Sequence, residues 1–256
     1  MKILILGGIA ESKQLATQLI HQQHTVIYSI VGLVRTPELA CEIHIGGFSS
    51  NGINGGLGLA NYCQSHNIEL LIDATHPYAV DISANAVTAA KIVDIACWRY
   101  SRSGWDEVKY PNWHYYDEWD DLAPQIERYQ KPFFTIGASV LHYSDRRPQN
   151  QQWVMRCAKQ QAEIDGITQI HAIGPFYYAD ELALMQKHRV DALISKDSGC
   201  SRVAEKLDAA LTLNIPVYVQ RRPKLAQAEQ SFSQIDDLVQ SIEGITVENP
   251  HIRRKV

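Results

Sequence analysis

The sequence predicts an α/β chain folded as two parallel-sheet domains with the active-site cleft between them. Three observations predict it. Short, wholly apolar runs such as Ile3 to Leu6 read as strands buried on both faces. Several of these runs end in glycine, at Gly7-Gly8, Gly46-Gly47 and Gly137, where ligands sit in doubly wound sheets. Helical patterns alternate with the strands along the whole chain, which argues for helix-covered parallel sheets. At 256 residues two such domains fit, residues 1–131 and 132–256.

Composition sets the limits. Apolar content of 45% and charged content of 20% are ordinary for a globular protein. A net charge of -4 gives no basic field for nucleic acid. No apolar run approaches the ~20 residues of a membrane span, and no signal-peptide pattern precedes the first strand. The cysteines Cys41, Cys63, Cys97, Cys157 and Cys200 are scattered, with no C-x-x-C spacing. The expected setting is a reducing cytoplasm, without membrane or nucleic-acid partners. The expected assembly is a monomer or small homo-oligomer.

The first element is the strand Ile3 to Leu6, followed by Gly7-Gly8 and a helix from Glu11 to Gln22. A helix directly behind a glycine turn presents free N–H groups and the positive end of its dipole, which suits a phosphate. The spacing is G-G-I-A-E-S rather than G-x-G-x-x-G, so on its own the loop fits an ordinary βα turn equally well. Thr25 to Val31 is the second strand. NAD binders place an acid near its end, about 20 residues beyond the glycines. Here Ile27 to Val34 holds none; Ser29 and then Arg35 stand there, a pair suited to a 2′-phosphate. If a dinucleotide binds, NADP is therefore expected; a solvated loop arginine is the simpler fate of Arg35.

Cys41 to Ile45 forms a third strand ending in Gly46-Gly47-Phe48, followed by a helix from Leu57 to His66. Leu70 to Ala74 runs into Thr75-His76-Pro77-Tyr78-Ala79. His76 is held extended by the proline after it, and Pro77 suits the first turn of a helix reaching about Val93. The threonine hydroxyl and the imidazole face the same strand-end crevice as the glycines; ligand contact and helix capping account for His76 equally well. Further strands are expected at Ala96 to Tyr100, Trp113 to Tyr116, Phe133 to Ile136, Trp153 to Ala158, Val190 to Ser195 and Pro216 to Gln220. Helices are expected at Trp119 to Tyr129, Ala179 to His188, Gln234 to Ile242, and through Val203, Leu207, Ala210 and Leu211. Asp197 or Ser198 can cap the last of these, with Lys196 beside it as an anion site. Arg35, Arg99, Arg102, Lys196, Arg221 and Arg222 near expected strand ends predict a locally basic cleft for a polyanionic small molecule; the plainer reading of several of these arginines is a surface ion pair. No Y-x-x-x-K, G-x-S-x-G or P-loop pattern occurs, and the histidines show no metal-binding spacing, so no metal is expected.

Read together, ILILGGIAES, IGGF, LIDATHPYA, FTIG, GPF, LISKDSG and PVYVQRRP resemble the precorrin-6A reductases, including the cobalt-precorrin-6A reductases of vitamin B12 synthesis. The resemblance spans nearly the whole chain in the same motif order. It implies two Rossmann-like halves and NADPH-dependent reduction of one macrocycle double bond in a tetrapyrrole bearing several carboxylates. It implies that Gly7, Gly8, Ile9, Ala10 and Glu11 meet the cofactor, where the family usually has Thr or Ser in place of Ile9. Ser29, Arg35, Gly46, Gly47, Phe48, Thr75 and His76 join them on the cofactor side. Tyr78, Arg99, Arg102, Gly137, Lys196, Asp197, Ser198, Gly199 and Arg221 are expected at the substrate. His76 and Asp197 are the side-chain candidates for proton delivery, with a bound water as the alternative. Cys200 stands where a second glycine is frequent after K-D-S-G. Two other readings remain: an NADP-dependent reductase of a different small molecule, and a non-catalytic NADP sensor.

Overall fold

In the computed structural model, residues 1–32, 38–49, 52–105, 109–200 and 204–248 are described. The chain divides into two units. One comprises Met1–Ser103 together with the segment from Pro223 onward; the other is Gly104–Arg222. Each carries one six-stranded sheet in which every pairing is parallel.

In the first unit the strands are β1 (Lys2–Leu6), β2 (Thr25–Ile30), β3 (Glu42–Ile45), β4 (Leu70–Asp73), β5 (Ala96–Tyr100) and β12 (Gln230–Phe232), in spatial order β12-β5-β4-β1-β2-β3. The order reverses at β1, which gives the doubly wound arrangement with its ligand crevice beyond the strand C-termini. The helices α1 (Ala10–His21), α2 (Gly55–Ser65), α3 (Val80–Val93) and α7 (Ile235–Glu248) cover both faces. The alternation along β1 explains its unbroken apolar run. Ile3 and Ile5 pack with Leu15 and Leu19 of α1 and Leu238 and Ile242 of α7. Leu4 and Leu6 pack with Leu59 of α2 and Ala86 and Ala90 of α3.

The second unit repeats the plan. Its strands are β6 (Trp113–Tyr116), β7 (Pro132–Phe134), β8 (Trp153–Cys157), β9 (Ile167–His171), β10 (Ala192–Lys196) and β11 (Val217–Gln220), in order β6-β11-β10-β7-β8-β9. One face packs Phe133, Leu193 and Val217 against Met185 of α5 (Tyr178–His188) and Leu207 of α6 (Glu205–Thr212). The other packs Phe134, Ile194 and Tyr218 against Trp119, Leu122 and Ile126 of α4 (Trp119–Ile126) and Val140 of a 3-10 helix, Gly137–Arg146.

The single break expected at residue 131 gives way to two crossings, after Ser103 and after Arg222. The reason is strand pairing: β6 joins β11 in the second sheet, and β12 returns to β5 in the first. Two strands, β9 and β12, and the 3-10 helix were absent from the sequence expectations. β12 is three residues, Gln-Ser-Phe, mostly exposed, and carries no apolar run to announce it. The sequence also placed a helix directly behind K-D-S-G. Instead α6 begins at Glu205, with Ala204 as its cap residue, so neither Asp197 nor Ser198 caps it. The expected stripe residue Val203 lies outside the described residues, and Leu211 is 38% exposed.

Candidate functional site

The N-terminal loop is built on Tyr28. This side chain of β2 is fully buried beneath the loop, and a Cβ at Gly7 would lie 2.2 Å from its ring. Only glycine lets the backbone pass over the ring. The Gly8 N–H points to the Tyr28 hydroxyl at 3.2 Å and to Ser12 Oγ at 3.3 Å, and those two hydroxyls lie 2.6 Å apart. Burial pushes the Tyr28 phenol above its usual range, so it stays protonated and available as a donor. Gly8 itself turns with φ +133°, and a Cβ there would meet nothing within 4 Å. The loop is thus rigid below and open above. Helix α1 follows behind Ile9, which supplies no side-chain cap, so the first-turn N–H groups suit an anion.

A pocket of about 200 Å³ opens over this loop, lined by Gly7, Gly8, Ser29, Phe48, Thr75 and His76 among others. It gathers residues from the ends of β1, β2 and β4 and the loop after β3. His76 Nδ1 accepts the backbone N–H of Tyr78 at 3.3 Å, which turns the ring's Nε2 into the site of the proton in the neutral imidazole. The Thr75 hydroxyl donates to Asp73 Oδ1 at 2.7 Å, so it braces the turn after β4. Gly46 also sits at positive φ, +135°, with open space where a Cβ would stand, as at Gly47.

Other expected site residues take different places. The Ile9 side chain lies in the core beside Leu15 and Tyr28, so this position offers a ligand only its backbone. That is why a hydrocarbon is accommodated there. Glu11 accepts two hydrogen bonds from Arg102 Nη1, at 2.8 and 2.9 Å, which fastens the start of α1 to the segment after β5. Arg99 is 7% exposed. Its Nε donates to Asp73 Oδ2 at 2.9 Å and its Nη1 to the Ala226 carbonyl at 2.7 Å. Ser83 of α3 donates to the same Asp73 oxygen at 2.7 Å. One buried carboxylate thereby joins β4, α3, β5 and the returning C-terminal segment. Arg35 lies outside the described residues. Ala10 is exposed at the start of α1, and Tyr78 lies 5.6 Å from His76, ring to ring.

In the second unit the K-D-S-G segment follows β10. Asp197 accepts the Trp105 N–H at 3.1 Å and pairs with Arg222 Nε at 3.2 Å. Its carboxylate is occupied in holding two backbone segments, which weighs against proton delivery. The Ser198 N–H donates to the Lys196 carbonyl at 2.8 Å, and Gly199 takes φ +64°. Arg221 is exposed, 3.3 Å from Asp117 and over the Tyr115 ring. Gly137, at φ +77°, begins the 3-10 helix. Lys196 ends β10 on the Ile194 face and lines a cavity with Trp119, Ser139, His142 and Tyr143. Burial holds its ammonium below the usual lysine range.

The sequence reading passed over a buried cluster on the opposite face. Arg156 of β8 makes two hydrogen bonds to Glu181, at 2.6 and 2.7 Å, and its guanidinium stacks 3.9 Å from the Phe176 ring centre. Lys206 lies close by, 5.5 Å over the Trp105 ring, its ammonium pushed down to about 8 by burial and by Arg156. The signals in the sequence were an arginine inside an apolar strand and an acid on the inward face of α5; neither reveals its partner. Cys63 and Cys97 are buried and pushed up to about 12, so they remain thiols, and all five cysteines are free. Among the described residues no helix is long and apolar enough to cross a membrane.

Two doubly wound parallel sheets, with a glycine loop and an uncapped helix at the switch point of the first, define an α/β protein of the dinucleotide-fold class. Its place within that class comes from comparison with known proteins. The family model described as precorrin-6x reductase CbiJ/CobK matches residues 2–243. The chain belongs to this family of reductases. It is 35% identical to a precorrin-6A reductase of Rhodococcus erythropolis over 248 residues, 94% of this chain and 96% of that one. It is 28% identical to a cobalt-precorrin-6A reductase of Methanocaldococcus jannaschii, covering 74% of this chain and 78% of that one. A solved structure, CobK precorrin-6A reductase, superposes with a TM-score of 0.79 at 23% identity, covering 95% and 96% of the two chains, which establishes the shared fold.

Proposed function

We propose that the protein reduces one double bond of precorrin-6A or cobalt-precorrin-6A, using NADPH, in cobalamin biosynthesis. The observation that carries the cofactor reading is the pocket over Gly7 and Gly8, which has Ser29 rather than an acid on the β2 side. An acid there would repel a 2′-phosphate, whereas a hydroxyl can donate to it. The residues fit a dinucleotide: open glycine backbone at Gly8, Gly46 and Gly47, and first-turn N–H groups of α1 for the pyrophosphate. Gly7, Gly8, Ala10 and Ser29 would hold it, with Phe48, Thr75 and His76 completing the wall. When bound, the nicotinamide supplies the hydride.

The chain's own residues bind, orient and exclude water. Of the two candidates for proton delivery, His76 lines the pocket and Asp197 is engaged with Arg222 and Trp105, so His76 is the side chain we favour. The substrate family follows from the relatives, whose names divide between metal-free and cobalt forms. The test is anaerobic NADPH consumption with metal-free and cobalt-containing precorrin-6A, side by side, with NADH as the comparison. NADPH should be oxidised with at least one of the two and NADH much more slowly. Absence of oxidation with both would sink the substrate reading; equal rates with NADH would sink the 2′-phosphate reading.

A further inference from the structure

Glu11 puts a negative charge close to the pocket over the glycine loop. It is the one acid in the first turn of α1. Gly8 lies three residues before it, so the two backbones stand within about 11 Å at ~3.3–3.6 Å per residue. A carboxylate there suits the helix, whose N-terminus carries partial positive charge. The same carboxylate repels a phosphate held over Gly7 and Gly8, because like charges at this range still interact across protein. Helix stability and cofactor binding therefore make opposite demands on this position.

The fold answers with Arg102. This residue follows closely on the end of β5, and β5 is divided from β1 by β4. The strands are parallel, so the guanidinium arrives at the same sheet edge from which α1 departs. Its Nη1 donates to both Glu11 oxygens, at 2.8 and 2.9 Å. The Arg102 side chain is 10% exposed and that of Glu11 24%, so water and salt screen the pair less than they would an exposed one. Tyr100 feels both charges: burial pushes its phenol up, Glu11 adds to the rise and Arg102 opposes it. Neither Glu11 nor Arg102 lines the pocket over the glycines, so the pair acts on a ligand there through its field rather than by contact.

We propose that Arg102 is a positioning residue for the cofactor, cancelling the Glu11 charge so that the glycine loop and the start of α1 can receive the dinucleotide's phosphates. The proposal rests on the NADPH reading of the pocket. It differs from a purely mechanical clasp in one consequence. Removing the acid alone helps the cofactor, whereas removing the arginine alone harms it.

The test is NADPH affinity, by fluorescence titration, of wild type, Arg102→Met, Arg102→Lys, Glu11→Gln and the double variant Glu11→Gln/Arg102→Met. Each is measured at about 0.01 M and about 1 M salt, where the Debye length is ~30 and ~3 Å, and thermal melts check folding. At low salt Arg102→Met should weaken NADPH fivefold or more, and Arg102→Lys less than threefold. Glu11→Gln should tighten it at least twofold, and the double variant should fall between the two single ones. At high salt the difference between wild type and Arg102→Met should shrink below twofold. A mechanical clasp gives another pattern: both single variants weaken NADPH, salt leaves the differences unchanged, and the double variant is no better than either. That pattern, or a Glu11→Gln variant that binds NADPH no more tightly than wild type, overturns the proposal and leaves the cofactor reading standing. Glu11→Gln alone decides the matter if Arg102→Met does not fold. If wild type itself shows no saturable NADPH binding, the cofactor reading falls and takes this proposal with it.

Discussion

Lys206 shows how burial sets the behaviour of one residue. The residue is 6% exposed, and Arg156 adds repulsion to the buried ammonium while Glu181 offsets part of it. The folded pKa is about 8 against an ordinary 10.5. Between those values the unfolded chain holds more protons than the folded one, so this residue's contribution to stability rises with pH through that window. Below pH 8 the whole cost of burying the charge remains. Lys206→Met should therefore stabilise the protein at pH 7, on the order of 1–3 kcal/mol. The gain should shrink as pH rises toward 10.5, as followed by urea unfolding at both ends; an equal gain at both would contradict the assignment. Gly7 gives the opposite case. Ala in its place would drive a methyl into the buried Tyr28 ring, costing on the order of 1–3 kcal/mol. Because the same shift displaces Gly8, NADPH binding should weaken at least tenfold by titration, even where the variant remains folded.

Among elements, the joint around Asp73 governs how the first sheet meets its coverings. Its two oxygens receive the Thr75 hydroxyl, the Ser83 hydroxyl and Arg99 Nε, and Arg99 carries the bond onward to Ala226. Removing one partner of a buried ion pair leaves the other charge uncompensated, which costs about 3–5 kcal/mol. Asp73→Ala should lose that much in urea unfolding, whereas Ser83→Ala should lose only about 1 kcal/mol. The sequence made β4 and the T-H-P-Y-A turn legible as a strand running into a ligand-facing loop. It could not distinguish a substrate arginine from a structural one, because Arg99 acquires its role from an aspartate 26 residues away and a carbonyl 127 residues away. The same limit applied to Asp197, whose partners Trp105 and Arg222 come from opposite ends of the second unit.

For the whole molecule, the distinctive feature is that the first unit is built from two separate stretches of chain, so that its outer strand β12 follows the whole of the second unit in sequence. After β5 the chain leaves to form β6 on the second sheet, and after β11 it returns to form β12 on the first. Helix α7 then places Ile235, Leu238, Val239 and Ile242 in the core of the first unit. At about 1.5–3 kcal/mol for each fully buried side chain, these four represent much of the ~5–15 kcal/mol by which a domain is stable. Truncation after Arg222 should therefore unfold the first unit while leaving the second protected. Hydrogen exchange read by mass spectrometry would show this as fast exchange in β1 and β4 and slow exchange in β7 and β10. Uniform exchange across both units would contradict the division.

The sequence by itself determined the α/β class, the buried strands β1, β4 and β10, the glycine loop and the family. Those features are local: apolar runs, glycines at strand ends and contiguous motifs. Only the tertiary structure decided which strand closes each sheet, which arginines are spent on internal carboxylates, and that Ile9 belongs to the core. Each of these depends on partners distant in the chain. A three-residue strand such as Gln230–Phe232 has almost no propensity of its own; it exists because β5 offers it an edge.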